Sequence, residues 1–320
     1  MYTTLSDFHA DLDKVSRLLE LTGQIKEFSG LQSLYQQSSG MGFQCVKSEI
    51  QSVEVIGEEV LNENGSEQTN KSSAPMDSNA QDIAATSGED FTINQSQKEV
   101  DLVVKLHSTS RNNHSNLVIL NGTLLLFITG RFESFVRDTF EEYCKNLTER
   151  VDKFSDLPND MKVNLMKYTS EVISNPRRYG HADNGVKAFV RVMNNNLHDI
   201  SPVEINYQCL SITSENMRAG VLSDLFQRAG VKNILEKLSQ QSKLQLHWGS
   251  KDSALVSKSS EKYLNSLMEL RNSIAHPSTS ITWPDSEAIN KALDFFRVFS
   301  TVLIDVLPVF ELDVGSVHTV

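Results

Sequence analysis

Tyr263-Leu264-Asn265-Ser266-Leu267-Met268-Glu269-Leu270-Arg271-Asn272-Ser273-Ile274-Ala275-His276-Pro277 reads as the last turns of a helix with a charge on its apolar side. Tyr263, Leu264, Leu267, Met268, Leu270, Ile274 and Ala275 fall on one wide arc at about 100° per residue, the pattern of a helix laid on a core. Arg271 lies inside that arc, because Leu264, Leu267 and Met268 precede it at the spacings that share a helix face. A solvated arginine would sit opposite. His276 stands before Pro277, and a residue preceding proline is pushed out of the α region, so the helix is predicted to end at about Ala275 or His276. Asn272 shares the face of His276 and is expected to orient the ring through its amide. Arg271 is rotated by roughly 140° from His276 on an ideal helix, so its side chain has to curl round to reach the same place.

An arginine offers a fixed fork of donors to phosphate oxygens, and a histidine gains or loses a proton near neutral pH, so the pair suits phosphodiester chemistry. The spacing alone carries little: eight His and twelve Arg in 320 residues produce an Arg-x4-His match about 0.3 times by chance. A helix-ending Arg and His can also merely cap carbonyls and complement the helix dipole. Context comes from a second helix, Leu117 to Leu147, whose apolar face is Leu125, Phe132, Val136, Phe140, Tyr143, Cys144 and Leu147. Glu133 falls on that face. A buried carboxylate needs a partner, and Arg271, also on an apolar face, is the expected one. The alternative is that Glu133 snorkels to the edge of the stripe.

Arg271-Asn272-x3-His276 at the end of a late amphipathic helix resembles the Arg-x4-6-His signature of HEPN domains. Leu124 to Tyr143 (Leu-Leu-Leu-Phe-Ile-Thr-Gly-Arg-Phe-Glu-Ser-Phe-Val-Arg-Asp-Thr-Phe-Glu-Glu-Tyr) looks like the first long helix of the RiboL-PSP type of that family, and a Leu157-Pro158 step follows as it often does there. The likeness spans roughly residues 100 to 310 and is vaguest between about 195 and 215. It implies an all-α, up-and-down helical bundle and, for many members, a metal-independent ribonuclease that uses Arg271, Asn272 and His276. It also implies a role as toxin or effector in a prokaryotic antiviral defence or toxin-antitoxin system, with a cognate antitoxin or defence partner. The alternative within the same family is a non-catalytic dimer that binds a nucleotide or a partner in a defence complex.

The expected chemistry follows from what a single imidazole cannot do. Metal-free RNA cleavage needs a base for the 2′-hydroxyl and an acid for the leaving 5′-oxygen in one turnover. A homodimer, or higher even oligomer, that faces two His276-bearing helix ends across a symmetry axis supplies both. The products are then a 2′,3′-cyclic phosphate and a 5′-hydroxyl. No metal is then needed and no cofactor is expected, and the absence of a clustered Asp/Glu/His ligand set is consistent with that.

Charge bounds the substrate. The net charge of −11 opposes broad high-affinity binding to long nucleic acid, which depends on phosphate neutralisation. From Met161 to His198, however, Lys162, Lys167, Arg177, Arg178, Lys187 and Arg191 face only Glu171 and Asp183, a local excess of about +4. Arg177, Arg178, His181, Lys187 and Arg191 are therefore candidates for an RNA track; a solvated helical surface is the alternative.

The remaining composition reads as that of a soluble, cytoplasmic protein, with no apolar run of 18 residues and no signal-peptide pattern at the N-terminus. Cys45, Cys144 and Cys209 are too far apart for a C-x-x-C pair and read as core or free thiols. An amphipathic helix is predicted from about Leu5 to Phe28, with Phe8, Leu12, Val15, Leu18, Leu19 and Leu21 as its apolar residues. Residues 43–56 alternate loosely, as a strand would. From Asn62 to Gln97 the chain is rich in Ser, Asn, Gln, Asp and Glu and too poor in apolar side chains to offset its ordering entropy. The organisation expected is a helical segment at 1–44, a linker or disordered insertion at 45–97, a helical domain at 98–310 and a tail at 311–320. Helices are expected at about 98–108, 115–148, 159–174, 184–197, 215–228, 230–241, 259–276 and 285–307.

Overall fold

In a computed structural model, residues 1–30, 89–112, 114–179, 183–276 and 282–315 are described. They form eleven α-helices, with no strand among the described residues. In chain order these are α1 (Tyr2–Gly30), α2 (Glu89–Asn112), α3 (His114–Glu149), α4 (Asn159–Ser174), α5 (Asp183–Leu197), α6 (Tyr207–Leu210), α7 (Ala219–Arg228), α8 (Ile234–Ser239), α9 (Ser242–Trp248), α10 (Ser253–Ala275) and α11 (Ser286–Gly315). The expected strand at 43–56 and most of the expected insertion lie outside the described residues. The end of that insertion does not: α2 begins at Glu89, ahead of the expected 98.

Residues 1–22 and 115–320 make one compact unit and residues 23–114 another. The larger unit is built round a cluster of aromatic rings. Phe8 of α1 stacks on Phe135 of α3 with centroids 4.8 Å apart. Phe132 lies 4.6 Å from Phe296 of α11, and Phe295 meets Tyr263 of α10 edge-on at 5.0 Å. Offset and edge-to-face arrangements of this kind add to the area term of burial. Residues 2–22 of the N-terminal helix are thus part of the bundle core. Phe8, Leu12, Val15 and Leu19 are buried, whereas Leu18 and Leu21 point outward.

Helix α3 is long and apolar enough between Asn116 and Glu149 to cross a membrane, with a mean hydropathy of 1.3 over its most apolar stretch. Its Phe132, Val136, Phe140, Tyr143, Cys144 and Leu147 are all buried in the bundle, which is where a core helix spends such a face. At the other end of the chain, the expected tail at 311–320 begins inside α11, and Glu311 is buried with Arg150 Nη2 2.7 Å from its Oε2. Asn146 Nδ2 donates to its other oxygen at 3.2 Å. That satisfied carboxylate carries the helix past the expected end at 307.

Among the described residues, the smaller unit holds the end of α1 and α2. Ser110 Oγ of α2 donates to the Ile25 carbonyl of α1 at 2.8 Å, and the Phe28 ring meets His107 edge-on.

Candidate active site

Helix α10 is the platform. It starts earlier than its apolar periodicity suggests, because Asp252 caps it: Oδ1 accepts from the backbone N–H of Ala254 at 2.9 Å and of Leu255 at 3.4 Å. It stops at Ala275, and His276 leaves the helical region with φ −125° and ψ 72°. Leu264, Leu267, Met268 and Ile274 are buried as the periodicity requires, while Ala275 is exposed.

A second element, residues 215–219 at the entry to α7, lies along α10 and is held by three polar contacts to α10 and one to α3. Ala219 N donates to Asn265 Oδ1 at 3.0 Å. Arg218 Nη1 donates to Glu269 Oε1 at 3.4 Å. Asn216 Nδ2 donates to Asn272 Oδ1, and Met217 N donates to Glu133 Oε1 of α3 at 3.3 Å. Asn265, Glu269 and Asn272 are spaced by four and three residues, so one stripe of α10 receives the whole segment. The first N–H groups of a helix lack intrahelical partners, and side chains from α3 and α10 satisfy the chain where α7 begins.

Between this segment and the end of α10 lies an open cleft of about 430 Å³, lined by Glu215, Asn216, Arg218, Arg271, Asn272 and His276. Two guanidinium groups face one carboxylate, so the cleft is positive at neutral pH within a chain of net charge −11. Arg271 Nη1 donates to Asn272 Oδ1 at 3.2 Å. Because a guanidinium cannot accept, the oxygen of Asn272 has to face it, and Asn216 has to present its nitrogen to the same oxygen. The Asn272 nitrogen makes no hydrogen bond among the described residues, and Asn272 lines the cleft. Arg271 Nε is buried without a hydrogen-bond partner, and Arg271 forms no ion pair among the described residues.

Three residues singled out in the sequence, Arg271, Asn272 and His276, therefore meet in one cleft. Glu133 does not join them. Its carboxylate accepts the Met217 N–H, so the expected ion pair with Arg271 is absent. The reason is that neither group is deeply enough buried to need the other. Arg271 is half-buried, with its terminal nitrogens at the cleft, and Glu133 is half-buried beside an amide at a helix entry, a position that favours an anion. Asn272 does not orient His276 either, since its oxygen is taken by Asn216 and Arg271. The link between them is backbone only, His276 N to Asn272 O at 3.0 Å.

The expected RNA track is elsewhere. Arg177, Arg178, Lys187 and Arg191 are exposed and none lines the cleft. Arg178 lies over the Tyr179 ring and Arg191 faces Glu204 at 4.0 Å, the behaviour of a solvated surface. His181 lies outside the described residues. Conversely, Glu215, Asn216 and Arg218 were not anticipated. They precede α7, which begins at Ala219 and not at about 215 as the periodicity puts it, and only the tertiary contact with α10 turns them toward the site.

The family model for RiboL-PSP-HEPN matches residues 92–308. The chain belongs to that family. No curated protein and no solved structure matches it. Membership supports a nuclease or nucleotide-binding module in general, and Arg271, Asn272 and His276 line one cleft. Among the described residues no three His, Cys, Asp or Glu side chains are grouped as a metal site.

Proposed function

We propose that this HEPN protein is a metal-independent endoribonuclease, a cytoplasmic toxin or effector of a defence or toxin-antitoxin system, that cleaves RNA at a site completed by dimerisation. The observation that carries the reading is Arg271: a guanidinium without a counter-ion among the described residues, bonded to Asn272 and sharing a cleft with His276. A cation so placed is ready for a phosphate, since no internal carboxylate has to be displaced first.

His276, at the exposed helix end, takes the 2′-hydroxyl proton or supplies the proton to the leaving 5′-oxygen. Arg271 and the donating nitrogen of Asn272 hold the phosphoryl oxygens as negative charge builds on them. The second proton transfer falls to His276 of a second copy, which supports an isologous dimer packed through the helix ends. Products are a 2′,3′-cyclic phosphate and a 5′-hydroxyl.

The test is cleavage of total tRNA and messenger RNA by the purified protein in EDTA. Activity is expected to persist in EDTA and to vanish in His276→Ala, with the melting temperature of that variant within a few degrees of the parent because an exposed helix-end ring contributes about 1 kcal/mol or less. Adding excess His276→Ala chains to the parent is expected to suppress cleavage by more than dilution accounts for. Full activity in a species whose light-scattering mass is that of one chain would rule out the composite site.

A second reading, a non-catalytic nucleotide- or partner-binding module, is favoured by the His276 ring having no orienting side chain among the described residues. It predicts binding of RNA without cleavage in the same assay.

A further inference from the structure

Arg218 is the second guanidinium of the cleft, and its present partner is a poor one. Its Nη1 reaches a single oxygen of Glu269 at 3.4 Å, with 38% of the Arg218 side chain and 64% of the Glu269 side chain exposed. A monodentate contact between exposed groups is weak and screened by salt, whereas guanidinium and phosphate engage two donors at once. Its backbone is fixed far better than its side chain. Ala219 N is tied to Asn265 and Met217 N to Glu133, which anchors the residues on both sides of Arg218 to α10 and α3. The result is a weakly held fork on a well-anchored backbone, beside the fork of Arg271.

We infer that Arg218 is a second phosphate-binding residue of the cleft, held in reserve by Glu269, so that the ligand is an RNA strand spanning at least two phosphates and not a mononucleotide. Arg271 takes the phosphate at the reacting bond. Arg218 releases Glu269 and takes a neighbouring phosphate on the same strand. Glu269 lies outside the cleft lining, so it remains as a competitor for Arg218 without touching the RNA. Arg218 makes no contact with reacting atoms and is a positioning residue. The inference rests on the reading of the cleft as an RNA site.

The experiment uses the full chain carrying His276→Ala, so that RNA is bound and not cut, and a fluorescein-labelled oligouridylate of about ten nucleotides, with uridine monophosphate as the one-phosphate comparison. Arg218→Ala is expected to weaken oligouridylate binding several-fold and to lower the slope of log affinity against log salt by about 0.7, the value for one phosphate contact on a single strand. Uridine monophosphate binding is expected to weaken less than oligouridylate binding. Glu269→Gln is expected to tighten oligouridylate binding, a gain that damage to the fold cannot produce. If the His276→Ala chain binds the oligomer and both further variants leave affinity and slope unaltered, the second subsite is wrong while the RNA reading stands. Absence of oligouridylate binding by the His276→Ala chain at any salt overturns the RNA reading itself, and the subsite with it.

Discussion

At the scale of single residues, the site depends on which polar groups are already satisfied and which are left over. Asn272 Oδ1 is fully used by Asn216 and Arg271, which leaves its nitrogen to donate. Glu133 is satisfied by a backbone amide. This leads to a definite expectation for Glu133→Gln. Glutamine keeps an oxygen for the Met217 N–H and removes only a charge near a helix entry, so stability is expected to fall by less than about 1 kcal/mol. A double-mutant cycle between Glu133→Gln and Arg271→Ala is expected to show coupling below about 0.5 kcal/mol, as for groups that do not touch. Coupling of about 2 kcal/mol or more in chemical denaturation would restore the direct ion pair. Reading the sequence located Arg271, Asn272 and His276 because a charge inside an apolar arc is visible in one dimension. It mispaired Glu133 because two charges on two apolar faces do not reveal which backbone amide a third segment will bring between them.

At the scale of elements, the end of α10 is fixed in space by what packs behind it. Asn121 Nδ2 of α3 donates to the Pro284 carbonyl at 3.2 Å. One residue on, Gly122 has no side chain because the Trp283 ring occupies the space a Cβ would need, with the Ile274 Cγ2 methyl 3.4 Å from that position. Ile274 stands two residues before His276. A methyl group at Gly122 therefore presses on the tryptophan that follows α10 and on the last buried residue within it. Gly122→Ala is expected to cost about 1–3 kcal/mol through overpacking, read as a fall of several degrees in Tm. Combining it with Trp283→Leu is expected to cost less than the two changes added, since the smaller side chain makes room for the methyl. An unchanged Tm in Gly122→Ala would show that the ring moves aside freely and does not hold the helix end. Neither the glycine nor the tryptophan stood out in the sequence, where Gly122 sits in an ordinary helical pattern. The matching boundaries of α4 and the near match of α5 show the other side of this: apolar periodicity locates a helix well, but close approach between helices leaves no periodic mark.

At the scale of the whole molecule, the compact unit is larger than its family segment. The match runs over 92–308, yet the aromatic core draws Phe8 of α1 against Phe132, Phe135 and Phe296. Helix α1 was legible as amphipathic, but a sequence pattern says only that a face needs covering and not what covers it. The face in question buries Phe8, Leu12, Val15 and Leu19. At about 1.5–3 kcal/mol for each fully buried large apolar side chain, their loss amounts to roughly 6–12 kcal/mol, which is comparable to the typical total stability of about 5–15 kcal/mol. A fragment of residues 92–308 also ends before Glu311, leaving Arg150 without its buried carboxylate. That fragment is expected to lack a cooperative unfolding transition, whereas the full chain unfolds cooperatively, as followed by circular dichroism in urea. Returning residues 1–22 and 309–315 to the fragment is expected to restore the transition. A fragment of 92–308 that melted cooperatively within a few degrees of the full chain would mean that α1 covers a core already stable without it.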